Sequence, residues 1–424
     1  MFVTMVTRCI IVALCFFASV RGATAQVSSI RSQQADNFSG QMPSQETVIL
    51  QQTIIRQVLE GDIAKAYDTL KKDMPVDSDS AVLTHFLRIF DRWQKGSIEA
   101  KYVEELFQAI DNLEKGNNHA AYNQLENLRK RYPNQNEHYY WFAAVYSNLG
   151  EHLQAVNYAR RYLMVYPDDR GAYYDIASAY RMRKEFAKAI EVFREYLHKN
   201  PDDLQTFSNI AALYLVLKMP KQAIPFAENA LALKPDYIPA RLVLAKAYYD
   251  LQKYPEAITH YQELLAGAKY NASIYINMAG AYYHLKQYQQ ALTYLTQAIE
   301  FDPKNATAYY DLGTVYAALE KMPEAVSSYE KGLSLYPADA EGYANLGNCY
   351  MALGEYQKSV TAYKKTIELH PGYLAAYEGL GKTYKALGDC PEARKYLTIA
   401  KELYQQTNNS GKVAEINSLA DSCK

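Results

Sequence analysis

Apolar side chains recur along most of the chain at the three- and four-residue spacing that is typical of amphipathic helices. Tyr309, Leu312 and Tyr316 follow this spacing in one segment, and Tyr329 and Leu333 follow it in the next. A strand would instead alternate apolar and polar residues along its length. The pattern therefore predicts an all-helical chain built from short helices.

The helical pattern repeats with a period of 34 residues, which is the separation of Tyr316 and Tyr350. Eight tyrosines share this register: Tyr146, Tyr180, Tyr214, Tyr248, Tyr282, Tyr316, Tyr350 and Tyr384. Three positions before each tyrosine stands a small residue: Ala143, Ala177, Ala211, Ala245, Ala279, Gly313, Gly347 and Gly381. Nine positions after it stands another: Ala155, Ala189, Ala223, Ala257, Ala291, Ala325, Ser359 and Ala393. Small residues in a fixed register indicate helix pairs that touch closely, as in a repeat protein.

Prolines close most of the repeated units, because proline cannot continue a helix. They are Pro133, Pro167, Pro201, Pro235, Pro303, Pro337 and Pro371. An acidic residue follows several of these prolines, and we expect Asp168, Asp202 and Asp236 to cap the helices that come next. In the unit that begins at Ala340, Gly354 marks the turn between the two helices.

These tyrosines, small residues and prolines resemble the tetratricopeptide repeat family, whose unit is a helix–turn–helix of 34 residues. The resemblance covers roughly Tyr102 to Gln405. It implies an all-α tetratricopeptide-repeat solenoid, a superhelix of antiparallel helix pairs. It also implies a non-enzymatic binding scaffold in which the first helix of each pair lines a concave groove.

The pattern divides the chain into five regions. Residues 1–25 are a signal peptide, 26–46 a flexible lead-in, 47–101 an N-terminal helical cap with a degenerate repeat, 102–407 about nine tandem repeats of which the first is degenerate, and 408–424 a C-terminal capping helix. Within the N-terminal cap, one helix from Ala81 to Gln94 is expected to place its large apolar residues on one side: Leu83, Phe86, Leu87, Phe90 and Trp93. Open-ended repeat arrays need such caps at both ends.

The first 25 residues have the composition of a targeting segment. Arg8 precedes an apolar run from Cys9 to Val20, and the small residues Ala23-Thr24-Ala25 precede Gln26. The run is shorter than the roughly 20 residues that a membrane-spanning helix needs. We therefore expect a bacterial protein that is exported to the periplasm, with no integral membrane segment in the mature chain. Secretion into the medium is the second choice of location. An uncleaved anchor is the alternative.

Charge and motifs argue against a nucleic-acid ligand and against catalysis. The net charge is −1 and charged residues make up 21%, so no basic surface recommends nucleic acid. The stretch from Ala376 to Thr383 matches a loosened phosphate-loop pattern, but it falls inside a predicted helix whose backbone N–H groups are already bonded. The eight histidines are scattered, and no two are three or four residues apart, as a metal pair on one helix face requires. We expect no enzyme, no cofactor and no metal.

Three cysteines follow the targeting segment. Cys349 falls within a helix and is expected to be a small buried hydrophobic residue. Cys390 begins the second helix of the last repeat, and Cys423 ends the final helix. Because two helices of similar length that run in opposite directions bring these ends together, and export permits oxidation, we predict a Cys390–Cys423 disulfide. Two unpaired thiols are the alternative.

A column of amides and carboxylates recurs in the first helices, two positions after aromatics such as Tyr173 and Tyr275. It consists of Asp175, Asn209, Asn277, Asp311 and Asn345, with Val243 as an interruption. The column resembles the asparagine ladder in the repeat arm of the O-linked N-acetylglucosamine transferases, where amides hold the backbone of a peptide. The catalytic half of those enzymes is absent here. Apolar neighbours predicted to line the same groove are Leu242, Tyr249, Ile276, Tyr283 and Tyr310.

We therefore predict a groove that binds peptide segments or partner proteins outside the cytoplasm. The alternative for the amides is that they only bond neighbouring helices. The alternative for the whole protein is a structural subunit of an envelope secretion or polysaccharide-export complex. A glycan ligand is also possible, because aromatic rings in the groove can stack on sugars. The alternative is that these rings pack against neighbouring helices. The residues are Tyr140, Tyr174, Tyr249, Tyr283 and Tyr310.

Overall fold

The computed structural model describes residues 44–74, 80–267, 272–407 and 409–422. These residues form 22 α-helices and no strand, which confirms the predicted all-α repeat fold. The predicted signal peptide, most of the predicted lead-in and Cys423 lie outside the described residues. The helices fall into two compact units: an N-terminal unit that ends at Leu251 and a C-terminal unit that begins at Gln252.

The described part of the N-terminal unit contains twelve helices. They are α1 (Gln45–Leu59), α2 (Ile63–Asp73), α3 (Ala81–Gln94), α4 (Ala100–Glu114), α5 (Asn118–Arg131), α6 (His138–Asn148), α7 (His152–Val165), α8 (Arg170–Met182), α9 (Phe186–Lys199), α10 (Leu204–Val216), α11 (Pro220–Leu233) and α12 (Ile238–Asp250). Helices α1 and α2 pack together, as do α4 with α5, α6 with α7, α8 with α9, and α10 with α11. Each of these pairs is a helix–turn–helix.

The described part of the C-terminal unit contains ten helices. They are α13 (Tyr254–Gly267), α14 (Ala272–His284), α15 (Tyr288–Phe301), α16 (Ala306–Ala318), α17 (Met322–Leu335), α18 (Ala340–Ala352), α19 (Tyr356–Leu369), α20 (Leu374–Ala386), α21 (Cys390–Gln406) and α22 (Ser410–Asp421). Helices α14 with α15, α16 with α17, α18 with α19, and α20 with α21 form the pairs, and α22 packs on α21.

Aspartates cap several first helices, one residue later than the sequence predicted. Helix α8 is capped by Asp169, whose carboxylate accepts a hydrogen bond from the backbone N–H of Ala172 at 2.9 Å. Asp203 caps α10 in the same way. The predicted caps Asp168, Asp202 and Asp236 are therefore wrong, because the residue directly after the proline still belongs to the turn.

The turn inside each helix pair contains a residue in the left-handed backbone conformation. Glycine occupies it at Gly116, Gly150, Gly354 and Gly388, with φ between 75° and 79°. At the same register, other repeats use Lys184, Lys218, Gln252, Lys286 and Glu320, with φ between 59° and 61°. Residues with a Cβ rarely adopt this conformation, so five of the turns carry local strain.

Small residues of the repeat lie against tyrosine rings, as their register predicted. A Cβ added to Gly313 would stand 2.9 Å from the ring of Tyr329, and one added to Gly347 would stand 3.0 Å from the ring of Tyr363. Both rings are almost fully buried. Close helix packing therefore depends on the missing side chain at these glycines.

Helix α3 is not half of a pair but lies across the ends of α6, α7 and α8 in the N-terminal unit. Phe86 packs against Phe107 of α4 and Trp141 of α6, with ring centroids 4.7 and 6.0 Å apart. Three of the five apolar residues predicted on one side of α3, Leu83, Phe86 and Phe90, are fully buried. A Cβ added to Gly171 of α8 would meet Cβ of Ala81 at 2.7 Å, so the two backbones approach closely.

Ion pairs add to this apolar contact. Arg88 of α3 lies 2.6 Å from the buried carboxylate of Asp169, the N-cap of α8. Arg92 pairs with Glu137, a second buried carboxylate, which also accepts a hydrogen bond from Tyr166 at 2.7 Å. Because a buried charge without a partner is strongly destabilising, these arginines hold α3 on the repeats. The sequence reasoning missed this network, since its members are up to 81 residues apart.

Candidate functional site

Three members of the predicted column stand in the middle of successive first helices of the C-terminal unit. Asn277 lies on α14, Asp311 on α16 and Asn345 on α18, each partly exposed. Within the described residues, the amide of Asn345 has no hydrogen-bond partner, whereas Asn277 makes an interaction of its own. A partly exposed amide without a partner retains its donor and its acceptor for a ligand.

Asp311 is a carboxylate in the same column, and no described side chain donates a hydrogen bond to it. Burial among the surrounding helices raises the pKa of Asp311 to about 7, and the negative charge of Glu341 acts in the same direction. Near neutral pH the group is therefore partly protonated. A protonated carboxyl offers one donor and one acceptor, as an amide does.

The N-terminal unit presents the other members of the column. Asp175 lies on α8, Asn209 on α10 and Val243 on α12. Asn209 is partly exposed, and its amide has no hydrogen-bond partner among the described residues. Val243 is 3% exposed, so the column is interrupted here as the sequence indicated.

Asp175 is exposed, yet the protein atoms packed around its carboxylate remove much of its hydration. This burial raises the pKa of Asp175 to about 7, and the negative charge of Asp169 raises it further. The hydroxyl of Tyr140 acts in the opposite direction and favours the carboxylate. Both carboxylates of the column therefore titrate near neutrality, each inside its own unit.

The apolar residues predicted beside the column differ in accessibility. Leu242, Tyr249 and Tyr283 are partly exposed. Ile276 is only 6% exposed, and Tyr310 turns its ring toward Gly332 and donates a hydrogen bond to the carbonyl of Tyr336 at 2.8 Å. Ile276 therefore offers little surface to a ligand, whereas Tyr310 is still partly exposed, and the place of both in a ligand groove stays a prediction.

Two tyrosines considered for a glycan are also engaged within the N-terminal unit. Tyr140 is 6% exposed and stacks on His85 of α3 with ring centroids 3.5 Å apart. Tyr174 shares hydrogen bonds with Asp203 at 3.2 Å and Thr206 at 2.8 Å. Their rings pack against neighbouring residues, which was the alternative reading of the sequence.

A cavity of about 240 Å³ lies beside the column in the C-terminal unit. It is partly open to solvent and is lined by residues of α14, α16, α17 and α18: Tyr283, Thr314, Ala317, Ala318, Met322, Tyr329, Asn345, Asn348 and Cys349. Asn345 is thus a member of both the column and the cavity wall. The sequence reasoning missed this cavity, although the two adjacent alanines were a signal for it.

A second cleft, of about 500 Å³, lies between α7 and α9 of the N-terminal unit. Glu195 in its wall pairs with Arg160 at 2.6 Å and accepts a hydrogen bond from Tyr173 at 3.1 Å. Lys199 donates to the carbonyl of Pro167 at 2.8 Å. Glu195, Arg160, Tyr173 and Lys199 are thus engaged within the unit, whereas the side chains of Gln154, Asn157 and Arg161 in the wall make no hydrogen bond among the described residues.

The cysteines, the potential metal ligands and the phosphate-loop pattern remain as candidates for chemistry. Cys390 is disulfide-bonded, and its predicted partner Cys423 lies outside the described residues, so the pairing stays a prediction. Cys349 is free and buried, and burial raises its thiol pKa to about 11. In the described stretches no three acidic, histidine or cysteine side chains are grouped to hold a metal ion. Gly381 of the phosphate-loop pattern lies inside α20, where an added Cβ would stand 2.6 Å from Leu397.

None of the helices in the described residues combines the length and the apolar character needed to cross a lipid bilayer.

The fold is that of a helical repeat protein, and comparison with known families agrees with the register of the tyrosines. Tetratricopeptide repeat models match residues 142–203, 236–304, 270–338 and 340–373. A model of subunit 3 of the anaphase-promoting complex, or cyclosome, matches residues 182–264. The chain belongs to the tetratricopeptide repeat family.

Solved structures similar to this chain are mostly shorter repeat proteins. The protein MamA is 26% identical, with a TM-score of 0.38, and the match covers 39% of this chain and 96% of MamA. YrrB, described as a tetratricopeptide repeat protein with an unusual peptide-binding site, is 24% identical, with a TM-score of 0.38 and coverage of 45% and 97%. A tetratricopeptide repeat protein from Parabacteroides merdae is 17% identical, with a TM-score of 0.48 and coverage of 58% and 98%. No curated protein matches the chain.

Proposed function

We propose that this chain is a non-enzymatic interaction scaffold that holds extended peptide segments of protein partners by their backbone, outside the cytoplasm. The observation that carries the proposal is the pair of partly exposed amides, Asn209 and Asn345, which have no hydrogen-bond partner among the described residues. They occupy the same register of the repeat, four periods apart. Packing alone does not explain two such amides, because polar groups that serve packing usually bond a neighbour.

The chemistry of an amide suits this role. Its N–H group donates and its oxygen accepts, which matches the C=O and N–H groups of an extended chain without selecting its side chains. Each hydrogen bond to a ligand contributes about 1 kcal/mol net. A segment held by several such residues in one unit would gain affinity by adding small contributions.

The test replaces Asn209 and Asn345 with alanine and measures binding to an array of short unstructured peptides. Losing the hydrogen bond of Asn209 in one unit, or of Asn345 in the other, should weaken binding to that unit roughly fivefold. Adding Asn277→Ala to Asn345→Ala should bring the loss in the C-terminal unit to roughly 30-fold. The matched control replaces Asn127 and Asn229, two exposed asparagines of second helices, and should leave the profile unchanged.

Circular dichroism checks that the variants remain helical. A binding profile of the Asn209 and Asn345 variant equal to that of wild type, with the helices intact, would remove these amides from the mechanism. If the double variant loses helicity, Asn345→Ala alone repeats the measurement. A stable stoichiometric complex in envelope extracts, without peptide capture by the purified chain, would instead favour a subunit of an envelope complex.

A further inference from the structure

The cavity in the C-terminal unit exists because one repeat has small residues where its neighbour has large ones. Ala317 and Ala318 end helix α16 and form part of the cavity wall. The residues 34 positions earlier, at the end of α14, are Tyr283 and His284. An aromatic pair at positions 317 and 318 would fill much of the space. The two alanines therefore leave a cavity that the tyrosine and histidine of the preceding repeat would close.

The polar groups of the wall differ in whether they are already bonded. The hydroxyls of Thr314 and Tyr329 share a hydrogen bond at 3.0 Å. The oxygen of Asn348 accepts a hydrogen bond from Tyr363 at 2.6 Å, while its amino group has no partner among the described residues. With the amide of Asn345, the wall therefore offers two amino groups and one carbonyl oxygen to an occupant.

Size and charge restrict what the cavity can hold. Its volume of about 240 Å³ is below the roughly 300–1,000 Å³ that is typical of clefts for drug-sized ligands. Among the described residues that line it, none carries a formal side-chain charge at neutral pH. Its apolar surface comes from Met322, the two alanines and the ring of Tyr283, which suit an aromatic ring better than a short polar group.

We propose that this cavity is a specificity pocket for one aromatic side chain with a hydrogen-bonding tip, tyrosine, on the peptide that the column holds. The inference rests on the proposed function and adds a side-chain preference to it. Asn345 connects the two, because the same residue belongs to the column and to the cavity wall. The ring fills the apolar part, and the phenol oxygen accepts from the amino groups of Asn345 and Asn348.

The experiment measures binding of the full chain to array-selected peptides in which one position is varied among tyrosine, phenylalanine, alanine, lysine and glutamate. Tyrosine should exceed alanine about 10- to 100-fold because an aromatic side chain is buried. It should exceed phenylalanine about fivefold through its hydroxyl, and exceed lysine and glutamate because the wall holds no opposite charge.

The filling variant replaces Ala317 with Tyr and Ala318 with His, which copies the pair found one period earlier. It should lose the preference for tyrosine while it binds the alanine peptide as wild type does. The matched control is Ala352→His, one period after Ala318, at an exposed residue outside the cavity wall. If the double substitution disturbs helicity, Ala318→Leu provides a smaller filling.

A filled variant that keeps the full preference for tyrosine overturns the pocket. A wild-type preference for lysine over tyrosine also overturns it, in favour of a cationic occupant near Asp311. Both results leave backbone binding intact, so they are distinguishable from a failure of the proposed function, in which wild type binds none of the peptides.

Discussion

At the scale of single residues, the surroundings change what an ordinary side chain does. Asp175 and Asp311 replace asparagine in the column, and burial raises the pKa of each to about 7. The pKa of His85 shifts in the opposite direction: burial of this α3 residue against Tyr140 and Tyr162 lowers its pKa to about 4, although Asp169 and the carbonyl of Ala81 favour the charged ring. The charge state of each group is thus decided by packing.

Peptide binding should strengthen as pH falls through about 7, because protonated Asp311 gains a donor and then resembles an amide. Above that pH the carboxylate only accepts, and it repels the carbonyl oxygens of the peptide. Binding measured at pH 6 and pH 8 should therefore differ in wild type, and Asp311→Asn should reduce the difference. An equal pH dependence in both proteins would contradict this role of Asp311.

The N-terminal unit should lose stability as pH falls from about 6.5 toward 4. The unfolded chain protonates His85 near its ordinary pKa, whereas the folded chain keeps the ring neutral until about pH 4, so acid favours unfolding. The loss at pH 4 is about 3 kcal/mol for this residue. His138, whose pKa burial also lowers to about 4, adds a loss of the same sign.

Tryptophan fluorescence during urea unfolding measures this effect, since both tryptophans, Trp93 on α3 and Trp141 beneath it, belong to the N-terminal unit. His85→Gln should flatten the dependence on pH. The exposed His119→Gln is the matched control and should keep the wild-type slope. Identical slopes for wild type and His85→Gln would show that α3 docking does not control the titration.

At the scale of helices, the turns and the added helices decide where stability is concentrated. The turn of each pair requires a left-handed residue, and only some repeats supply glycine. Helix α3 has no partner in a helix pair and is held by apolar packing of Phe86 together with two arginines on buried carboxylates. Helix α22 closes the other end by packing Ile416 against Leu397 and Ala400 of α21.

Replacing Lys286 with glycine should stabilise the C-terminal unit by roughly 0.5–1 kcal/mol, because it removes a left-handed residue with a Cβ. Gly354→Ala, at the equivalent turn, should destabilise it by about 1 kcal/mol, although no atom lies within 4 Å of the new methyl group. Urea midpoints from circular dichroism provide the measurement. Lys331→Gly, inside α17, is the control and should destabilise by about 1 kcal/mol; a gain there would mean that glycine acts by another route.

Cys390 and Cys423 should form the disulfide that joins the start of α21 to the chain after α22. Closing a loop of 34 residues, from 390 through 423, should stabilise the cap by about 4 kcal/mol, less any strain. A non-reduced digest of native protein should contain the linked peptides, and Cys390→Ser and Cys423→Ser should each lower the melting temperature. Cys349→Ser serves as the control for a cysteine without a disulfide. Recovery of both predicted partners as free thiols would refute the pairing.

At the scale of the whole molecule, the same 34-residue repeat builds both compact units, but the residues at the column positions differ between repeats. The column positions keep their 34-residue spacing on both sides of Leu251, while the residues there change from amide to carboxylate to valine. A net charge of −1 gives the chain no long-range preference for anionic partners. Selectivity must therefore arise from short-range contacts on the first helices.

The mature protein should begin at Gln26 and be recovered outside the cytoplasm. The charged start at Arg8, the apolar run and the Ala-Thr-Ala site before Gln26 have the composition of a cleaved signal. N-terminal sequencing of protein from separated cell fractions tests this. Recovery of an intact Met1 in the cytosolic fraction would overturn the proposed location.

The sequence alone determined the helical class, the period and the small residues that packing requires. Glycines such as Gly313 and Gly347 were identifiable because the repeated register shows positions that only small residues occupy. The helix from Ala81 to Gln94 was also predictable, since its apolar residues follow the spacing of a single face. These properties are local or periodic, so neighbouring residues in the sequence carry them.

Only the tertiary structure decided how distant residues meet. The pairing of Arg88 with Asp169 joins positions 81 residues apart, and no period relates the two. The cavity beside Asn345 depends on how the side chains of four helices, α14, α16, α17 and α18, come together around Ala317 and Ala318. The contact of the Tyr310 ring depends on Gly332 of the next helix. The pKa values of Asp175 and Asp311 followed from the same packing, because desolvation is set by all the atoms around a group and not by its neighbours in sequence.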